Sequence, residues 1–113
     1  PGTNAPNALN AEYYGQRASN GGLIICEASP VVATGTAGPN VPGIYSDAQI
    51  AGWKLVTDAI HAKGGIAFLQ LWHGGRISHS SLQPDGGVPQ SASDKIGRAH
   101  VRHSALIRHG AGR

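Results

Sequence analysis

The stretch that decides the fold is Gly64-Gly65-Ile66-Ala67-Phe68-Leu69-Gln70-Leu71-Trp72-His73-Gly74-Gly75-Arg76. Its apolar centre, Ile66 to Leu69, has the composition of a parallel strand that is covered on both faces. Polar and aromatic side chains gather where this strand ends. In an α/β barrel the active site lies at the carboxyl ends of the strands, so the cluster predicts a ligand pocket. A loop that is anchored by Gln70 and holds no site is the alternative, and the pattern alone leaves both open.

A second buried strand is predicted at Leu23-Ile24-Ile25-Cys26. It runs into the polar Glu27 and should end before Pro30, which has no N–H for a sheet ladder. Cys26 is the only cysteine in the chain. Because it follows an apolar run, we interpret it as a core thiol and not as a nucleophile.

A predicted helix precedes each strand. Asn7 is the expected N-cap of the first helix, which runs to Ala18 and stops at Asn20-Gly21-Gly22. Ser46 and Gln49 have the spacing of a capping box and begin the second helix, which Gly64-Gly65 ends.

The order helix, strand, loop, helix, strand, loop predicts a parallel α/β architecture. Right-handed crossovers would bring Glu27-Ala28 and Gln70-Leu71-Trp72 to the same edge of the sheet, where they could share one ligand. Two strands and two helices leave strand edges unpaired. We therefore expect the chain to be a piece of a larger domain.

The charge pattern argues against a nucleic-acid partner. The net charge of +3 comes from residues 97–113, which hold four arginines and no acid, whereas residues 1–96 carry five basic and six acidic side chains. No apolar run is long enough for a membrane span, and the first residues, Pro1-Gly2-Thr3-Asn4, lack the apolar core of a signal peptide. The expectation is a cytoplasmic protein without a membrane partner.

Several chemistries lack their motifs. Neither strand is followed by the glycine fingerprint of a dinucleotide fold or by a P-loop. His73 and His79 have no third ligand at a metal spacing, so we expect no metal site. Ser78 lies outside any nucleophile elbow. Arg76 beside the Gly74-Gly75 turn suits either an anion or an ion pair that fixes the loop, and both remain open.

Four motifs in matching order resemble the Old Yellow Enzyme family, the NAD(P)H:flavin oxidoreductases that include the bacterial N-ethylmaleimide reductases. The similarity runs from about Asn7 to Asp94. The motifs are Tyr13-Tyr14-Gly15-Gln16-Arg17-Ala18-Ser19, Gly22-Leu23-Ile24-Ile25-Cys26-Glu27-Ala28, Asn40-Val41-Pro42-Gly43-Ile44-Tyr45-Ser46 and Phe68-Leu69-Gln70-Leu71-Trp72-His73-Gly74-Gly75-Arg76-Ile77-Ser78-His79.

The resemblance implies a (β/α)8 TIM barrel that holds FMN noncovalently at the carboxyl ends of its strands. Gln70 corresponds to the glutamine that hydrogen-bonds the flavin pyrimidine edge, Ala28 to an alanine whose backbone approaches the flavin, and Trp72 to a residue that shapes the substrate side. The implied enzyme is an ene-reductase that transfers hydride from NAD(P)H through FMN to a small electrophilic alkene. Gly38 replaces an aromatic residue that several relatives carry over the pocket.

By the same resemblance, residues 1–95 are the N-terminal βα units of such a barrel and hold no catalytic residue. The family's proton-donating tyrosine and its substrate-binding pair, two histidines or a histidine and an asparagine, lie on later strands. Residues 96–113 fit no family segment, and we interpret them as an artefactual or disordered tail. The chain alone is expected to be inactive and not stably folded. An inactive truncated fragment, or a piece of a non-redox barrel that binds phosphate or sugar, is the alternative to the reductase.

Overall fold

The computed structural model describes residues 4–93, and the predicted tail at residues 96–113 lies outside them. Two α-helices and two strands alternate along the chain: α1 (Ala8–Arg17), β1 (Leu23–Pro30), α2 (Asp47–His61) and β2 (Ile66–Trp72). Short 3-10 turns occupy the segments that follow the two strands. The predicted alternation of helix and strand is confirmed.

Reciprocal capping begins both helices, as the sequence predicts. The Asn7 side chain accepts a hydrogen bond from the N–H of Leu9 at 2.9 Å, and the Asn7 N–H donates to Asn10 Oδ1 at 2.9 Å. In α2, Ser46 Oγ accepts from the N–H of Gln49 at 3.3 Å, and Gln49 Oε1 accepts from the N–H of Ser46 at 3.2 Å. Each cap satisfies backbone donors that have no partner inside the helix.

The two strands form a parallel sheet whose register changes near the end of β1. Leu23 to Cys26 pair in order with Ile66 to Leu69, and pairing resumes with Ser29 opposite Leu71. Two residues of β1 therefore lie opposite one residue of β2, which is a β-bulge. The bulge lies at the edge of the sheet where the sequence predicts the site.

The prediction that β1 stops before Pro30 was wrong, because Pro30 is the last residue of the strand and pairs with Trp72. The N–H of the following residue, Val31, donates to the Trp72 carbonyl at 3.2 Å. Donors of successive residues point to opposite sides of a strand, so the nitrogen of Pro30 faces away from β2 and no ladder bond is lost.

Both helices contact the sheet, and their buried side chains form a small core. Its buried members are Tyr14, Cys26, Trp53, Val56 and Ile60. Trp53 Nε1 donates to the Gly43 carbonyl at 3.0 Å, which ties the loop after β1 to α2. Gly52 is required on α2, because a Cβ there would collide with the Pro6 carbonyl.

The opposite face of the sheet is open among residues 4–93, so the prediction that both faces are covered was wrong for this stretch. Ile25 is 67% exposed and Phe68 is 60% exposed, and Leu23 and Ile66 are exposed on the same pattern. Both strands have the composition of buried strands, which agrees with a chain that is part of a larger domain.

Neither helix in this range is long and apolar enough to span a bilayer.

The open face generates a prediction for the 113-residue chain studied alone. We expect it to bind the dye ANS and to melt without a cooperative transition, because apolar strand residues remain in water and the strand edges lack partners. Near-UV circular dichroism during heating measures this. A sharp transition with no dye binding would contradict it.

A second prediction concerns Cys26, which is 3% exposed, and burial raises the pKa of its thiol. Because the thiolate is the reactive form, we expect Cys26 in a complete barrel to react with DTNB at pH 8 far more slowly than in urea. Absorbance at 412 nm follows the reaction. Equal rates in native buffer and in urea would show that the thiol is accessible.

Candidate functional site

The bulge brings two of the predicted site residues together. Glu27 and Ala28 lie between the paired residues Cys26 and Ser29, and on β2 only Gln70 lies between their partners. Ala28 is half-buried and Gln70 is exposed. The backbone of Ala28 and the side chain of Gln70 are thus neighbours across the two strands.

Gln70 belongs to the open face of the sheet. It follows Ile66 and Phe68 at the two-residue spacing that places side chains on one face of a strand. Its side-chain amide makes no hydrogen bond within residues 4–93. An exposed amide at the end of an apolar face offers one acceptor and two donors to a ligand.

Trp72, the third predicted residue, is half-buried at the last position of β2, opposite Pro30. It lies two residues beyond Gln70, so the amide and the indole stand side by side at the same edge of the sheet. A large ring at this position can form one wall of an apolar pocket.

Tyr14 contacts the bulge, and the sequence reasoning missed this contact. Its hydroxyl oxygen accepts a hydrogen bond from the N–H of Glu27 at 3.0 Å. Burial raises the pKa of Tyr14, and the hydrogen bond from Glu27 opposes that rise. Partial burial raises the pKa of the Glu27 carboxyl, and a hydrogen bond with Tyr14 opposes it. The only sequence signal was an aromatic residue on the apolar stripe of α1.

A buried polar cluster joins the loop after β1 to the segment after β2. Ser78 Oγ donates to the Thr36 carbonyl, and Gln83 Nε2 donates to Ser78 Oγ at 2.7 Å. The N–H of Gly74 donates to the Gly35 carbonyl at 2.8 Å and connects the same two segments nearer the sheet. We call Thr36, Ser78 and Gln83 the loop clasp.

The two histidines that were considered as metal ligands accept hydrogen bonds from backbone N–H groups of their own loops. His73 Nδ1 accepts a hydrogen bond from the N–H of Gly75 at 3.0 Å, and His79 Nδ1 accepts from the N–H of Ser81 at 3.2 Å. Arg76 is exposed and forms no ion pair with any other residue of the range 4–93. Its basic group therefore remains available to an anion.

An open cleft of about 270 Å³ lies between the two loops joined by the clasp. Gly38, Tyr45 and Leu82 are among its lining residues, whereas Gln70, Ala28 and Trp72 are not. Gly38 thus lines a space beside the loops, and a side chain there would approach Val41. Of these three residues, Gln70 is exposed to solvent, whereas Ala28 and Trp72 are half-buried.

The loop clasp generates a stability prediction. Replacing Ser78 with alanine leaves the buried Gln83 amide with one long contact, 3.4 Å from the Thr36 carbonyl. In a complete barrel that carries residues 4–93, we expect Ser78→Ala to lower the free energy of unfolding by about 1–3 kcal/mol. Urea denaturation measures it. The matched control, Ser80→Ala at an exposed position, should change it by less than about 0.5 kcal/mol. Equal effects would contradict the clasp.

Comparison with known proteins places these elements in a larger fold. Morphinone reductase matches with a TM-score of 0.73 and 55% sequence identity over 76% of this chain and 23% of the reductase. The reductase in complex with tetrahydroNAD matches at 54% identity with the same TM-score, over 79% of this chain and 24% of that one. The two parallel strands and their helices therefore form the N-terminal part of a TIM barrel, as predicted.

Relatives with curated names are also flavin-type oxidoreductases or reductases. The chain is 53% identical over 90 residues to 12-oxophytodienoate reductase 7 of Oryza sativa subsp. japonica, and 48% identical over 89 residues to flavin oxidoreductase hxnT of Emericella nidulans. These matches cover 80% and 79% of this chain and 23% of each relative, so the chain spans about a quarter of their length. The family model for NADH:flavin oxidoreductase / NADH oxidase matches residues 1–109. The resemblance to the Old Yellow Enzymes is confirmed, and the chain belongs to the NADH:flavin oxidoreductase / NADH oxidase family.

Proposed function

We propose that this chain is the N-terminal part of an FMN-dependent NAD(P)H oxidoreductase, an ene-reductase that acts on electron-poor alkenes. The observation that carries the proposal is the Gln70 amide, which is exposed and unpartnered within residues 4–93 and lies beside a β-bulge at the carboxyl end of the sheet. Ligands of TIM barrels bind at this end.

The residues present fit a flavin. The pyrimidine edge of FMN alternates carbonyl acceptors with a ring N–H, and one amide side chain can both donate to and accept from that edge. Ala28 lies next to Gln70 with a side chain of a single methyl group, so its backbone can approach a planar ring closely. Gln70 would orient the flavin, and Ala28 would support it.

The bound flavin would supply the hydride transfer, and this part of the chain would position and enclose it. Trp72 is the proposed wall of the substrate side, where an indole ring excludes water and packs against an apolar alkene. The groups that hold the substrate oxygen and donate the proton are proposed to lie on later strands. Among residues 4–93 we assign no catalytic residue.

The printed names of the relatives support the choice of reaction. They are reductases of 12-oxophytodienoate and of morphinone, and one structure holds a reduced nicotinamide analogue. For this protein we infer a small electrophilic substrate and a nicotinamide reductant. A location in the cytoplasm, the expectation drawn from the sequence, is part of the proposal. No observation favours a non-redox barrel that binds phosphate or sugar.

The test uses a chimera in which residues 4–93 replace the corresponding part of morphinone reductase. We expect the chimera to bind FMN and to oxidise NADH or NADPH in the presence of 2-cyclohexenone, an electron-poor alkene. Gln70→Leu should weaken FMN binding about five- to a hundredfold, because it removes hydrogen bonds at the buried flavin edge that are worth about 1–3 kcal/mol. Quenching of flavin fluorescence measures the dissociation constant.

The matched control is Gln16→Leu, at an exposed glutamine of α1 whose amide donates to Glu12 and makes no other hydrogen bond within residues 4–93. It should leave FMN affinity unchanged, which separates the effect of Gln70 from a general effect of the substitution. A folded chimera that binds no FMN would overturn the proposed function. Equal FMN affinity in the Gln70→Leu variant and the parent chimera would remove Gln70 from the site.

A further inference from the structure

A hydrogen bond connects the β-bulge to helix α1. Where Glu27 and Ala28 face the single residue Gln70, the regular exchange of hydrogen bonds between β1 and β2 is interrupted. The Gly22 carbonyl accepts from the N–H of Ile66, and successive residues point to opposite sides of a strand, so the N–H of Glu27 points away from β2. A partly buried N–H on that side needs an acceptor outside the ladder. At Glu27 that acceptor is the Tyr14 hydroxyl oxygen, 3.0 Å away.

The position of this hydroxyl is determined by the core. Tyr14 is 7% exposed, and its ring lies 6.3 Å from the Trp53 ring and 5.2 Å from the Tyr13 ring, centroid to centroid. Because two neighbouring rings restrict the Tyr14 ring, its hydroxyl oxygen can move only a short distance. The packing of α1 therefore specifies where the N–H of Glu27 lies, although the two residues are on different elements.

We propose that Tyr14 is a positioning residue for the flavin site. Its hydroxyl holds the Glu27–Ala28 bulge in place, and the bulge sets the spacing between the Ala28 backbone and the Gln70 side chain. This inference rests on the proposed function, because it takes the Ala28 backbone and the Gln70 side chain to be the groups that contact a bound flavin. Tyr14 itself does not reach the ligand and acts through the bulge.

The neighbouring residue provides a matched control. Tyr13 is also on α1, but it is 51% exposed, and its hydroxyl makes no hydrogen bond in the described part of the chain. Its ring contacts Tyr14 edge-on and lies under the Arg17 guanidinium at 3.6 Å, and both contacts involve the ring. Tyr13→Phe thus removes a hydroxyl and keeps the packing, as Tyr14→Phe does.

The experiment compares Tyr14→Phe and Tyr13→Phe in the chimera. In the FMN-free protein we expect the Glu27 amide to exchange with deuterium faster in Tyr14→Phe and at the parent rate in Tyr13→Phe. FMN should bind about three- to tenfold more weakly to Tyr14→Phe, which is the effect of losing one hydrogen bond, with no change in Tyr13→Phe. Both measurements are made well below the melting temperature.

A double-mutant cycle distinguishes positioning from a general loss of stability. If Tyr14 acts through the bulge on the edge that Gln70 binds, the loss of affinity caused by Tyr14→Phe should shrink in a Gln70→Leu background. Equal losses in both backgrounds would overturn the inference. So would an unchanged exchange rate at Glu27 or an unchanged FMN affinity in Tyr14→Phe.

Failure of the inference and failure of the proposed function give different results. A parent chimera that folds and binds no FMN contradicts the function, while the exchange rate at Glu27 still reports whether Tyr14 holds the bulge. A parent chimera that binds FMN, together with a Tyr14→Phe variant of equal affinity, keeps the function and contradicts the inference.

Discussion

The parallel pairing of β1 with β2 is the constraint on which the rest of the structure depends. Its regular part, from Leu23 opposite Ile66 to Cys26 opposite Leu69, gives both strands one common face for the helices to cover. Its irregular part, at Glu27–Ala28, changes the register just before the strands end. Because the register changes there, two β1 residues meet the one β2 residue that carries an amide. The same pairing therefore creates both the core and the candidate site.

The helices contribute more than a covering layer. α2 carries Trp53, whose indole N–H holds the Gly43 carbonyl and so directs the long loop that leaves β1. α1 carries Tyr14, whose hydroxyl reaches the bulge. Farther along the chain the Ser78 hydroxyl connects the segment after β2 back to Thr36 in the loop after β1. Hydrogen bonds from distant parts of the sequence thus fix the backbone around the strand ends, while the Gln70 side chain of the candidate site makes no hydrogen bond within residues 4–93.

The helices and the general place of the site could be read from the sequence because their signals are local. A capping box needs residues three apart, as Ser46 and Gln49 are, and an apolar run that ends in an amide marks a strand end. The end of β1 was not predictable in this way. Pro30 normally excludes a strand, and only the direction of its nitrogen relative to β2, a property of the assembled sheet, makes the position acceptable. The open face of the sheet was not predictable either. The apolar composition of the strands suits a complete barrel, whereas residues 4–93 form only one part of its wall.

By itself the sequence determined the alternation of helix and strand, the family through motifs such as Phe68 to His79, and the identity of Gln70, Ala28 and Trp72 as candidate residues. Only the tertiary structure decided that Ala28 and Gln70 face each other across a bulge and that Tyr14 supports it. The reason is physical. Propensity and capping act over a few neighbouring residues, whereas a register shift and a hydrogen bond from Glu27 to Tyr14 depend on how separate elements pack.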